Sequence, residues 1–184
     1  MQVLEFRFMS KDDYSETKRE AWSRVYEYPF VLERLKKLNL DTPLIHNTGC
    51  GWAWVHKDFA MELEKYWSVI NSDNQSRDLE FKQSNFINYD LLKQCSFKAD
   101  VTLCVSTLEH LDNQIWALRN LWEATEEWWY LICTFDCPPV NLHIVEDFVL
   151  WYCADTPNRL TPKNSIIPHP ERDWINVVAL VIKK

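Results

Sequence analysis

Both glycines of this chain fall within one short segment, Leu44-Ile-His-Asn47-Thr-Gly49-Cys50-Gly51-Trp52-Ala53-Trp54. Glycine serves where the backbone needs positive φ or where another molecule approaches the main chain closely. A chain that makes its other turns without glycine and keeps both here carries a candidate ligand-binding turn, the plain alternative being a tight strand-to-helix turn. The apolar run Leu44–His46 leads into the turn, and Val55, Phe59, Leu63 and Tyr66 leave it at helical spacing. Such a turn lies beside the unpaired N–H groups and positive dipole end of the helix that follows.

Three further sites carry candidate chemistry. Asp73 ends the second apolar run, begun by Val69-Ile70, roughly 20 residues after Gly51, where a carboxylate can accept from two ribose hydroxyls. A helix cap or a solvated strand end is its bland reading. Glu109-His110 follows the run Val101–Val105. A histidine there can take a proton from an attacking hydroxyl or amine, or hold a helix terminus, and Glu109 can fix backbone or substrate. Asp90 sits in Asn88-Tyr89-Asp90-Leu91 and reads as a ligand contact or a loop carboxylate.

Strands alternating with helices must position these residues. Strands are expected at 44–46, 69–73, 86–87, 101–105, 129–135 and 177–182. Helices are expected over 12–40, broken at Tyr28-Pro29, and over 55–66, 115–125 with Asp112 as cap, and 140–153. Alternation implies a parallel sheet covered on both faces, a doubly wound α/β fold. No sixth strand is evident before the closing one, so the sheet is expected to be reduced at its C-terminal strands or to hide one in 155–173. Residues 1–184 read as one domain, with an N-terminal helical cap (1–40), a core (41–136) and a C-terminal part (137–184).

Composition narrows the function classes. A net charge of −7 argues against non-specific nucleic-acid or anionic-membrane binding. The six cysteines fall mostly in apolar runs and read as reduced core residues, and no metal site is expected. No run approaches a membrane span, so a cytoplasmic protein is expected. Of ten tryptophans, Trp67, Trp116, Trp122, Trp128 and Trp129 read as core, whereas Trp52 and Trp54 flank the turn. His46 and His56 read as structural.

The turn discriminates between cofactors. A dinucleotide fingerprint G-x-G-x-x-G counted from Gly49 puts Trp54 where the third glycine must admit close helix packing, which excludes NAD and FAD. The ordered set Asn47-Thr-Gly49-Cys50-Gly51-Trp52-Ala53, Val69-Ile-Asn-Ser-Asp73 and Ser106-Thr107-Leu-Glu109-His110-Leu resembles the successive motifs of class I methyltransferases that use S-adenosyl-L-methionine (SAM). Upstream, Arg24-Val-Tyr-Glu27-Tyr28-Pro29 is similar to an R-x-x-E-Y-P segment of some bacterial members. The resemblance covers residues 20 to 136 and the final strand, and implies a Rossmann-like methyltransferase fold.

By that resemblance Asn47, Gly49, Cys50, Gly51 and Trp52 form the cofactor turn, and the glycines pass the methionine part. Asp73 takes the ribose with Asn74 beside it, Asp90 and Leu91 lie near the adenine, and Ser106 and Thr107 stand beside the methyl group. Glu109 and His110 are then the catalytic candidates. The expected activity is methyl transfer to O or N of a small molecule or sugar, with a homodimer or protein partner left open. Two departures from the pattern, Asn47 for an acidic residue and Ala53 for a third glycine, leave a catalytically silent relative as the alternative.

Overall fold

The computed structural model describes residues 2–10, 24–51, 54–74, 85–137, 139–152 and 176–184, with only the backbone of Val25, Trp54 and Val55. Its elements are β1 (Gln2–Phe8), α1 (Arg24–Leu38), β2 (Leu44–Thr48), α2 (Trp54–Glu64), β3 (Ser68–Asp73), β4 (Phe86–Asn88), β5 (Ala99–Val105), α3 (Gln114–Glu123), β6 (Thr125–Cys137), α4 (Leu142–Tyr152) and β7 (Asn176–Lys183). A 3-10 turn, Leu108–His110, follows β5. The strands form one sheet in the order β1-β7-β6-β5-β2-β3-β4. Strands β2 to β6 run parallel, and β7 lies antiparallel between β6 and β1.

Period-two alternation explains why both faces are covered. Along β6 and β7, Leu131, Cys133, Phe135, Val178 and Leu180 face α3 and α4, which supply Leu118, Leu121, Trp122, Val145 and Phe148. Ile132, Val177, Ala179 and Val181 face the other way, with Ile45 and Leu103, against Tyr26, Val31 and Leu35 of α1 and Phe59 and Leu63 of α2. The doubly wound α/β reading therefore holds, and strand order reverses between β2 and β5. Ligands of open α/β sheets bind beyond the carboxyl ends of the strands at such a reversal. The glycine turn follows β2, and Ser106–His110 follows β5.

Four local expectations differ. Residues 2–8, assigned to a helical cap, form edge strand β1 against β7, so the sheet gains its outer strand from the N-terminus. Val3, Phe6 and Phe8 pack on the core while Glu5 pairs with Arg34 of α1, the inward charge by which an edge strand resists foreign pairing. Helix α1 continues through Pro29. Burial of Tyr28, Phe30 and Val31 around it holds the turn despite the missing N–H. Asn113, not Asp112, caps α3, its side chain accepting from the Trp116 N–H. Trp116 and Trp128 are exposed, at 47% and 78%. The Trp116 indole N–H donates to the Leu92 carbonyl, and Trp128 has φ of 73° where the register between β5 and β6 shifts. The segment 155–173, where a hidden strand was the alternative to a reduced sheet, lies outside the described residues. Among the described residues no helix is long and apolar enough to cross a membrane.

Candidate functional site

Both glycines adopt left-handed backbone, with φ of 59° at Gly49 and 70° at Gly51. A Cβ at Gly49 would stand 2.3 Å from Thr107 Oγ1, and one at Gly51 would stand 2.6 Å from His56 Cδ2. The turn is thus required twice over to be glycine, by conformation and by space. It is also tied to its neighbours. The Gly51 N–H donates to Asp73 Oδ2 at 2.9 Å and the Cys50 N–H to the Ser72 carbonyl at 3.0 Å. The Thr107 hydroxyl is shared between the carbonyls of Gly49 (3.2 Å) and Val105 (3.1 Å). The loops after β2, β3 and β5 therefore meet as one unit.

They enclose a cavity of about 270 Å³ bordered by Gly49, Gly51, Asp73, Leu91, Thr107 and Leu111, and by Arg24 and His56 from the two helices. Its floor is held from α3, where Asn120 donates to the Leu91 carbonyl at 2.8 Å and Trp116 donates to that of Leu92 at 3.0 Å. Leu91, Leu111 and Tyr89 give the cavity an apolar part, and Asp73 an acceptor.

Behind it, α1 inserts a carboxylate. Glu27 is fully buried and accepts from Ser106 Oγ (2.6 and 2.7 Å), Thr134 Oγ1 (2.7 Å) and Arg24 (2.7 Å). Ser106 is itself strained, with φ of 42°, and its backbone N–H donates to the Thr134 carbonyl at 2.9 Å. Such outliers persist only where surrounding bonds over-determine them. Glu27 supplies those bonds, so it sets the path of the chain from β5 into Thr107. Next in α1, Tyr28 stacks on Phe59 at 4.0 Å between ring centroids, and its hydroxyl lies 2.6 Å from His56 Nδ1.

Burial, with the charges of Glu27 and Asp136 added, pushes the Glu109 carboxyl up to about 9. Glu109 is therefore a neutral acid at pH 7 and a hydrogen-bond donor, not a base. Because the folded state keeps this proton while the unfolded chain releases it near its ordinary value, Glu109 favours folding most at low pH. That contribution falls as pH rises toward about 9. Glu109→Gln removes the dependence. The variant is expected to gain stability over the parent by on the order of a few kcal/mol at pH 9 and by little at pH 5. Urea denaturation at the two pH values checks this, and equal differences at both would refute it.

No protein-family model matches the chain, and no curated protein matches it in sequence. Solved structures do match. The N-methyltransferase NodS from Bradyrhizobium japonicum WM9, in complex with S-adenosyl-L-homocysteine (SAH), superimposes with a TM-score of 0.61 over 84% of each chain at 12% identity. A SAM-dependent methyltransferase from Archaeoglobus fulgidus gives 0.56 over 85% of this chain and 94% of that one, at 14% identity.

The chain has the methyltransferase fold.

The cyclase SpnF shares it, with a TM-score of 0.53 and 11% identity over 67% of this chain, which spans only 49% of the cyclase. One fold thus serves a cyclase and methyl transferases, and the likeness speaks for architecture alone.

Within the methyltransferase fold, the expected residues divide. Gly49, Gly51, Asp73, Asn74, Leu91, Ser106, Thr107 and His110 line the cavity. Four do not. Asn47 is 2% exposed and donates to Asn71 Oδ1 at 2.8 Å, so its amide lies between β2 and β3. Cys50 is buried, its thiol pushed up to about 12 by burial and Asp73. Asp90 closes a turn by accepting from the Leu92 N–H at 2.9 Å. Glu109 belongs to the buried carboxyl group just described. Trp52 and Ala53 lie outside the described residues.

Sequence reasoning missed Arg24 and His56 as cavity residues. The R-x-x-E-Y spacing was the available signal, since it puts Arg24, Glu27 and Tyr28 on one side of a helix. For His56 nothing local distinguished a structural ring from one at a cavity wall.

Proposed function

We propose that this crevice binds SAM and that the chain transfers its methyl group to O or N of a small molecule or sugar. The observation that carries the reading is the doubly constrained glycine turn, held by Asp73 at a strand-order reversal. The donor set fits the cofactor. A carboxylate accepts from vicinal hydroxyls, and Leu91, Leu111 and Tyr89 give an apolar seat for a purine. Bound there, SAM supplies an electrophilic methyl carbon on a sulfonium that departs as a thioether.

The chain's part is positioning. Methyl transfer needs nucleophile and leaving sulfur held in line, and the ends of β2 and β5, locked through Thr107 and Gly49, provide a rigid wall for that alignment. His110, exposed at the rim, is the group placed to take the acceptor's proton. Glu109, protonated at pH 7, holds its hydrogen and does not compete for it.

Calorimetry with SAM and SAH tests the reading, and binding of neither at millimolar ligand overturns it. Asp73→Ala is expected to weaken SAH roughly tenfold or more, through loss of ligand hydroxyl bonds and of the Gly51 tether. The catalytically silent alternative drew on Asn47 and Ala53. The Asn47 side chain faces Asn71 and not the cavity, and Ala53 lies outside the described residues.

A further inference from the structure

The β5 and β6 side of the crevice gathers three carboxyl groups from three elements. Glu27 comes from α1, Glu109 from the turn after β5, and Asp136 from the end of β6. Glu27 accepts from Ser106 and from Thr134. Asp136 stands two residues beyond Thr134 and opposite Val177, so it shares the α1 face of the sheet. Glu109 follows Thr107 and precedes His110, which both border the cavity, and it feels the charges of Glu27 and Asp136. Asp73, the acceptor given to the cofactor, belongs to β3, and β2 separates that strand from β5. The acidic side is therefore the side left to the methyl acceptor.

Glu109 is the member of this group whose bonding is incomplete. Its Oε2 is shut off from solvent and has no hydrogen-bond partner among the described residues, whereas Glu27 shares its oxygens among Ser106, Thr134 and Arg24. Folded proteins pair nearly all their buried polar atoms, and an exception marks a place where a partner arrives from outside. In the free protein, burial and the two neighbouring carboxylates keep a proton on Glu109. A ligand cation with its own N–H donors can replace that proton by a charge-assisted hydrogen bond. A hydroxyl brings the donor without the charge, and an anion is repelled by Glu27 and Asp136. We infer that the methyl acceptor carries a protonated amine as its anchoring group, seated against Glu109 with Asp136 beside it, and that Glu109 selects it over an alcohol or an acid. One cation enters and one departs: the ammonium keeps its hydrogens, and the Glu109 proton leaves to solvent. The methyl goes to another O or N of the same acceptor, served by His110.

The amine site rests on the proposed methyl transfer for its ligand's being an acceptor, but its test needs no cofactor. Benzylamine, benzyl alcohol and benzoate present a cation, a neutral hydroxyl and an anion on one ring. By calorimetry on the full chain at pH 7.5, benzylamine is expected to bind about tenfold or more tightly than the alcohol, with benzoate weakest. Repeating the titration in phosphate and in Tris, whose ionisation enthalpies differ, is expected to show close to one proton released per amine bound. Glu109 is faced by Arg24 and Glu27 from α1 and by Asp136 from β6, and it gives up its proton only near 9. Amine affinity is therefore expected to rise by about tenfold between pH 7 and pH 8. Glu109→Gln cannot ionise, and is expected to lose the amine preference, the proton release and the pH dependence together, with urea unfolding showing that it folds. Asp136→Asn is expected to weaken benzylamine several-fold and to leave benzyl alcohol nearly unchanged. Benzylamine that binds no better than benzyl alcohol, or a preference that survives in Glu109→Gln, overturns the amine site and leaves the cofactor reading to its own titration with SAH. A chain that binds the amine through Glu109 but neither SAM nor SAH keeps the cation site and loses the methyl-transfer reading.

Discussion

Glu27→Ala is expected to cost the fold about 3–5 kcal/mol, a large part of a domain stability that is itself on the order of 5–15 kcal/mol. The carboxylate is fully buried and takes bonds from Ser106, Thr134 and Arg24. Removing it takes the carboxylate partner from a guanidinium with 17% side-chain exposure and leaves two buried hydroxyls without their acceptor, which costs the desolvation penalty of those groups. It also frees Ser106 to leave its strained φ of 42°, which loosens Thr107 and the glycine turn. Denaturant unfolding reads the first effect and loss of SAH binding the second. The double variant Arg24→Met, Glu27→Leu removes both charges and is expected to regain much of the stability without regaining binding. A loss below about 1 kcal/mol in Glu27→Ala would show that the buried group is not under load.

Gly51→Ala is expected to abolish SAH binding, by a hundredfold or more, while costing about 1–3 kcal/mol of stability. The first cause is conformational, since φ of 70° is a region where an L side chain meets its own carbonyl, at roughly 1–2 kcal/mol. The second is steric, the new Cβ falling 2.6 Å from His56 Cδ2. Either the ring moves and breaks its bond to Tyr28, or the turn moves and breaks the bond from Gly51 N–H to Asp73. Both outcomes reshape the cavity wall, so binding suffers more than folding does. Gly49→Ala meets Thr107 at 2.3 Å and is expected to behave alike, because a β-branched side chain bonded to the turn has little room to yield. Calorimetry paired with denaturation measures the split, and unaltered SAH affinity in either variant would refute it.

Much of the site was legible because its causes are local. Positive φ is a property of one residue, so two glycines in 184 residues marked the turn without knowledge of its surroundings. The runs Leu44–His46, Val69–Ile70 and Val101–Val105 are apolar because central strands are buried on both faces, and they became β2, β3 and β5. Edge strand β1 was overlooked although Phe6 and Phe8 alternate with Glu5 and Arg7. Its worth as a strand depends on β7, which lies at the far end of the chain. Asn47 and Asp90 were assigned to the cofactor site through the family resemblance. Their side chains turned elsewhere because Asn71 and the Leu92 N–H were nearer partners.

The sequence by itself determined the α/β alternation, the turn that must be glycine and the carboxylate that answers it at Asp73. Periodicity and φ preference are short-range properties, written within a few residues. Tertiary structure alone decided what the upstream helix does, since Glu27 meets Ser106 and Thr134 across separations of 79 and 107 residues. It likewise decided that Glu109 is an acid, through burial beside other carboxylates, and that His56 lines the cavity. A titration state depends on desolvation and on neighbouring charges, and both are settled only when distant segments pack together.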